Sequence, residues 1–484
     1  MSIGQILKNK VVFYLASRYL TYFIQFITSL IIAAKLGPYY LGVWGVVLLL
    51  INYFQQFHLG IANSFNVLYV QHRDSKRECN NYIGNSLMIL TYLSVAVSFF
   101  YLYYLLFGIS YFDNYHIDKY LVWVCLIAIM QYFVLFFQNL FRVRNQLNRV
   151  SFCQSVVVLL NFLCIFFFEG DELIQWLVAG YVVGNLLCVF MAFTSGSIPI
   201  FSDIELSGHY QAVILKKGLY LFLYNSCFYF IIISIRTIIS GCYSVEEFGL
   251  FTFSYTLAHA LMLVLDAMLF VVFPKVIGKL SSDKSDDVLG TISLLRTTYI
   301  TSAHGLIYIA LPCSPVLPYF FPQYSEAITS LNLIALTILI NTNSCGYLEL
   351  LISRNKEKIS AGISVSALII NFIFALTAVK ILHVPFSFVI ISTLLTYLFF
   401  SLVSMYYGCK IIGIFNYRYF ISQYFPVRLL IPYTLALFVT LFGFENLLFI
   451  PLLLYCIFNF SIFIEIKKTI RTLLIRPEVV DLEK

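Results

Sequence analysis

Residues 35–61, KLGPYYLGVWGVVLLLINYFQQFHLGI, decide how this chain is read. Lys35-Leu36-Gly37-Pro38 closes one long apolar run, and Tyr39-Tyr40-Leu41-Gly42 opens the next. A similar hinge returns at Ser244-Val245-Glu246-Glu247-Phe248-Gly249, followed by the run LFTFSYTLAHALMLVL. Gly42 and Gly249 lie 207 positions apart. A second echo uses nearly the same spacing. Arg144-Asn145 precedes a run containing Asn161-Phe162, and Arg354-Asn355 precedes one containing Asn371-Phe372, with every pair offset by 210. A shared offset points to two halves of one repeat.

The chain has 484 residues, of which 61% are hydrophobic and only 11% charged. A water-soluble surface cannot be built from that composition, so the chain is read as a polytopic membrane protein. Lipid offers backbone amides no partner, which leaves a helix bundle or a closed barrel. Barrel strands alternate over about ten residues. The runs here last about 20 or more, as helices need to cross about 30 Å of hydrocarbon. The eleven cysteines are scattered, with no CxxC and no Cys/His cluster at zinc spacing, so neither disulfides nor a metal are expected.

About fourteen spans are expected, near 11–34, 41–69, 82–107, 120–141, 150–168, 175–195, 218–240, 248–274, 297–320, 327–352, 359–379, 386–407, 425–443 and 447–465, with ends good to a few residues. The second carries a kink candidate at Gly60. Alternating the spans places 24 of the 30 Lys and Arg on one side, against Lys35, Lys119 and Lys380 on the other. The second side instead holds carboxylates such as Glu169, Asp171 and Glu172. Basic loops stay in the cytoplasm, so both termini are expected there. The net charge of +7 therefore belongs to cytoplasmic loops, and no nucleic-acid partner is needed. The expected organisation is an N-terminal six-helix bundle (1–207), a C-terminal six-helix bundle (208–410), two additional spans (411–466) and a cytoplasmic tail (467–484). Every loop is short, leaving no room for a catalytic domain outside the membrane.

Ionisable groups inside spans are expensive and usually face a partner or water. Arg18 lies about two turns into the first helix. It reads either as a fixed positive charge lining a cavity or as a side chain snorkelling to headgroups. Arg236, one turn from the outer end of the seventh span, offers the same choice. Asp266 is the one carboxylate well inside a span, and His259 lies two turns earlier on the same face. The two read as a proton-coupling pair or as a structural hydrogen-bonded pair. His58 and His304 are weaker candidates of the same kind, while Arg428 and Glu349 read as interfacial. Tyr22, Tyr53, Tyr224 and Tyr255 are candidate liners of a sugar-handling cavity, though interface belts explain most of the 36 tyrosines. Pro312, Pro315, Pro318 and Pro322 mark a bent gate or a tight exit loop. No Walker A loop, HExxH, GxSxG or dinucleotide fingerprint occurs, so no enzyme and no cofactor are expected.

The hinge AAKLGPYYLGVWGVVLLLINYFQQFHLGIANS resembles the start of Wzx-type polysaccharide and O-antigen flippases. They belong to the superfamily that includes MATE multidrug exporters and the lipid II flippase MurJ. Glu247-Phe248-Gly249-Leu250-Phe251 and Phe273-Pro274-Lys275 fit their second half. Where the family often has an acidic residue before Leu-Gly, this chain has His58-Leu59-Gly60. The resemblance implies a MATE-like fold of two pseudo-symmetric six-helix bundles with two further C-terminal helices, working by alternating access. It implies a bacterial inner-membrane flippase for an undecaprenyl-diphosphate-linked oligosaccharide, with polymerase machinery as a downstream partner. Arg18, Arg236, Tyr22 and Tyr224 are then the substrate-binding candidates. Asp266, His259 and His58 are the candidates for coupling to a proton or sodium ion. The nearest rival reading is a MATE-type cation-coupled exporter, which usually places carboxylates in its cavity. A second rival, from another class, is a membrane-embedded polymerase or lipid-linked glycosyltransferase, which commonly needs larger outer loops.

Overall fold

A computed structural model describes residues 10–108, 110–280, 285–413, 424 and 426–475. The protein is an all-α membrane protein. Its first helix, α1 (Lys10–Gln56), runs through the stretch quoted above. It breaks its regular geometry at Gly37, with φ 68° and ψ 174°, immediately before Pro38. Proline confines its predecessor to extended backbone, and only glycine takes that positive φ without strain. The helix restarts on the proline. A second break follows at Leu59 and Gly60, with φ 52° and 69°, before α2 (Ile61–Gln71). The kink candidate at Gly60 is therefore a full interruption. Gly60 and Gly218 meet backbone to backbone there, and a Cβ on Gly60 would lie 2.9 Å from the Gly218 carbonyl.

The chain continues through α3 (Lys76–Phe107), α4 (Asp118–Val143), α5 (Leu147–Cys164), α6 (Gly170–Thr194), α7 (Gly208–Cys242) and α8 (Val245–Leu280). Then come α9 (Ser285–Ala310), the short α10 (Leu317–Phe320), α11 (Ile328–Thr342), α12 (Tyr347–Ser353), α13 (Glu357–Lys380), α14 (Ile391–Ile412), α15 (Val427–Leu441) and α16 (Phe449–Ile475). The proline cluster carries the helical run of α9 on as far as Phe320. It forms two 3-10 segments, Leu311–Val316 and Pro322–Ala327, on either side of α10.

Among the described residues, eleven helices are long and apolar enough to cross a membrane. The difference from about fourteen has three sources. The first two spans form one run, Ala16–Gln71, through the bend at Gly37. The thirteenth, α15, has only 15 residues. The eighth lies in α8, where the side chains of 266–279 are outside the described residues.

Two compact units emerge. One extends up to Ser226 and takes in Tyr243–Thr252; the other holds Cys227–Cys242 and the chain from Phe253 onward. In the first, α5 packs on α1 and α6. Small residues let the backbones approach, as membrane helix pairs require: a Cβ on Gly180 would meet Asn161 Oδ1 at 2.3 Å, and one on Gly184 would meet Val157 Cγ2 at 2.6 Å. Residues read to one side of the membrane meet one another. Lys35 pairs with Glu169 at 3.2 Å and Lys119 with Asp171 at 3.4 Å, while Arg77 pairs with Glu205 at 3.1 Å.

The repeat echoes have structural counterparts. In the first unit the two hinges touch reciprocally. A Cβ on Gly42 would lie 2.1 Å from the Val245 carbonyl oxygen, and one on Gly249 would lie 1.8 Å from that of Pro38. Exchanging the segments reproduces the contact at the offset of 207 read from the sequence. The second hinge opens α8 with a capping box: Glu247 N donates to Ser244 Oγ at 3.1 Å, and Ser244 N to Glu247 Oε2 at 2.9 Å. At the offset of 210, Asn145 and Asn355 both adopt positive φ, 57° and 54°. Each ends a helix with the same wrap-around bond, Gln146 N to Phe141 O and Lys356 N to Leu351 O, both 2.8 Å.

In the second unit α14 packs on α11 and α13, and α16 packs on α9 and α15. The break between α11 and α12 is held by a buried arginine. Arg296 of α9 donates to the carbonyls of Asn343 and Cys345 and lies 4.9 Å from the centre of the Tyr347 ring. Glu349, read from sequence as interfacial, accepts the Gly346 amide at 2.5 Å and caps α12. Arg428, half-buried at the start of α15, donates to Asn459 Oδ1 of α16 at 3.1 Å.

Candidate functional site

Arg18 stands on α1 beside a polar seam. Ser17 donates to Ser151 at 2.9 Å, and Thr21 and Ser155 hydroxyls lie 2.6 Å apart, joining α1 to α5. The Arg18 guanidinium lies 4.5 Å from the centre of the Tyr22 ring, one turn on, and both side chains are half-buried. The outward apolar side chains nearby are Leu20 and Phe23, 60% and 63% exposed. At about 100° per residue both project more than about 120° from Arg18 around the helix. Arg18 therefore sits away from Leu20 and Phe23 and closer around the helix to the seam residues Ser17 and Thr21.

Arg236 is in a different situation. It is 2% exposed on α7, and its guanidinium lies 4.7 Å from the centre of the Tyr255 ring of α8. Such burial leaves no route for snorkelling. Tyr255 in turn packs on His259, ring centres 4.3 Å apart and inclined at 49°. The structure thus joins Arg236, Tyr255 and His259, three residues that the sequence reading kept in separate roles. The stretch of α7 just before Arg236 is anchored by Asn371 of α13. Its amide donates to the Ile231 carbonyl at 2.8 Å and to Ser234 Oγ at 2.9 Å, and its carbonyl oxygen accepts from Thr393 of α14 at 3.1 Å. Phe228, two turns before Arg236, stacks on Tyr397 with ring centres 5.9 Å apart.

The remaining candidates scatter. Asp266 lies outside the described residues as far as its side chain is concerned, so its pairing with His259 has no geometry here. His58 sits at the Gly60 break, with Nδ1 3.0 Å from the Gln55 carbonyl and its ring edge-on to Phe222. Tyr224 is half-buried on α7. His304 is buried in a ring cluster with Tyr308, Tyr433 and Tyr455, beside a small cleft also lined by Asn343 and Tyr424. Sequence reasoning missed Asn371 and Thr393 as site neighbours. Asn371 was visible only as a repeat echo, because a polar side chain inside an apolar run does not announce which helix it faces.

Residues 7–281, more than half of the chain, match the family described as Polysaccharide biosynthesis protein. The chain belongs to that family. No curated protein sequence matches it significantly. The fold of this polysaccharide biosynthesis protein is similar to that of the lipid II flippase MurJ in an inward closed conformation, with TM-score 0.67 and 14% identity over 93% of this chain and 98% of the other. It is also similar to an inward-facing multidrug resistance MATE family transporter of the MOP superfamily, with TM-score 0.65 and 14% identity over 82% and 98%. An outward-facing structure of such a transporter gives 0.60 and 13% over 85% and 98%. Family and fold agree with the resemblance to Wzx-type flippases and their superfamily.

Proposed function

We propose that this polysaccharide biosynthesis protein is a flippase. It moves an undecaprenyl-diphosphate-linked oligosaccharide from the cytoplasmic to the outer leaflet of a bacterial inner membrane. The observation that carries this reading is the buried Arg236 in an apolar helix of a chain from this family, with Arg18 on the side of α1 away from the exposed Leu20 and Phe23. A diphosphate does not cross hydrocarbon bare, and arginine suits phosphate oxygens better than lysine does. Arg18, half-buried beside Tyr22, is the direct partner for the diphosphate. Arg236 supplies a fixed positive charge in a low-dielectric setting, where charge acts strongly. Tyr22 and Tyr224 line the path, and the polyprenyl tail stays in lipid throughout.

The rest of the scheme belongs to the same proposal. Bundles 1–207 and 208–410 alternate access, 411–466 adds two spans, and both termini with the 467–484 tail are cytoplasmic. His259, His58 and Asp266 couple the cycle to a proton or sodium gradient, no cofactor or catalytic step takes part, and polymerase machinery receives the cargo. A MATE-type exporter of cations fits the fold equally, but the buried Arg236 and half-buried Arg18 disfavour a cationic cargo. The test is surface glycan in a strain lacking the gene, complemented with Arg18→Ala, Arg236→Ala or the double variant. Loss of surface glycan with accumulation of the lipid-linked intermediate supports the reading. Normal export by the double variant at normal membrane levels rejects the site.

A further inference from the structure

Arg236 is the charged member of its cluster, yet it is the least accessible one. It is 2% exposed, whereas Tyr255 and His259 each keep part of their surface open. Its guanidinium is held over the Tyr255 ring at 4.7 Å, and Tyr255 meets His259 at 4.3 Å. Its helix has little freedom to swing, because Asn371 grips Ile231 and Ser234 within two turns of it and is itself held by Thr393. A ligand reaching this cluster therefore meets a phenol and an imidazole before it meets the guanidinium. An aromatic ring beside hydrogen-bonding groups suits a sugar, whose C–H face is apolar and whose rim is hydroxylated. A phosphate would first have to lift Tyr255 off a desolvated cation–π contact.

We propose that Tyr255 and His259 form a subsite for a sugar ring of the cargo. Arg236 is a positioning residue that holds the Tyr255 ring by stacking on it. This rests on the flippase reading and deepens it, separating sugar recognition from the diphosphate contact assigned to Arg18.

The experiment uses the full chain in lipid nanodiscs and native mass spectrometry. The two probes are bare undecaprenyl diphosphate and the lipid-linked glycan extracted from the strain lacking this gene. The wild type is expected to hold the glycosylated lipid about tenfold tighter, a difference of one decade in Kd. Tyr255→Ala removes that preference and leaves bare-lipid binding unchanged. Tyr255→Phe, which keeps the ring, retains most of it, and His259→Gln retains part. Arg236→Lys keeps a cation over the ring and preserves the preference, whereas Arg236→Gln loses it. Equal wild-type affinity for the two lipids, or an equal loss for both in Tyr255→Ala, overturns the sugar subsite and leaves the flippase reading standing. A glycan preference that survives in Arg236→Gln overturns the positioning role, whatever happens to bare-lipid binding. A wild type that binds neither lipid sinks the flippase reading, and the subsite with it.

Discussion

Asn371 shows how much one buried amide can organise. It is 0% exposed and satisfies groups on α7 and α14 from its place on α13. Truncating it removes the acceptor that Thr393 uses and one bond of Ser234, which still donates to the Ile231 carbonyl, in an apolar bundle where an unsatisfied polar group costs about 1–3 kcal/mol. Asn371→Ala is expected to lower the melting temperature of the detergent-purified protein and also to reduce glycan export, because Arg236 loses its anchor. Unchanged melting and export together would remove Asn371 from the site's support. Its partner in the repeat, Asn161, faces Gly180 instead. The echo was legible as a letter pattern, but the two residues contact different neighbours, so their uses diverge.

Among the elements, the glycine hinge makes the sharpest demand. A Cβ at position 249 would penetrate the Pro38 carbonyl oxygen, and one at 42 that of Val245. Neither obstacle is a flexible side-chain end, so the segments must separate. Gly249→Ala and Gly42→Ala are expected to destabilise by at least about 1–3 kcal/mol, the usual range for overpacking. Gly362, in α13, has nothing within 4 Å of its would-be Cβ. There Gly362→Ala should be neutral or slightly stabilising, since alanine favours helix by about 0.5–1 kcal/mol. Melting curves of the three variants separate steric from propensity effects. The added C-terminal helices dock more gently, through the Tyr455 hydroxyl on the Thr301 carbonyl at 2.5 Å. Tyr455→Phe should cost about 0.5–1.5 kcal/mol, the net value of one hydrogen bond. A loss beyond that range would mean that the surrounding ring cluster rearranges.

For the whole molecule the predictions concern transport and orientation. A protonophore or a sodium ionophore is expected to slow translocation in proteoliposomes, and His259→Gln to make the residual rate insensitive to that gradient. Rates that ignore both gradients would leave the substrate gradient as the drive. Reporter fusions that work only in the cytoplasm should be active at both ends of the chain. An inactive fusion at either end would reverse the charge-based topology.

What the sequence determined on its own follows from local properties. Hydropathy over about 20 residues marks a helix that crosses lipid, whatever surrounds it. Gly37-Pro38 marks a break, because a backbone restriction needs no distant partner. The repeat survived as spacing because equivalent turns, such as those at Asn145 and Asn355, demand the same unusual φ. Only the tertiary structure decided that Arg236 is buried under Tyr255 while Arg18 keeps exposed surface beside Tyr22, that Glu349 caps a helix, and that Asn371 braces α7. Each of these depends on which face of one helix meets which face of another. In a chain that is apolar almost all round its helices, the periodicity that would reveal those faces is erased.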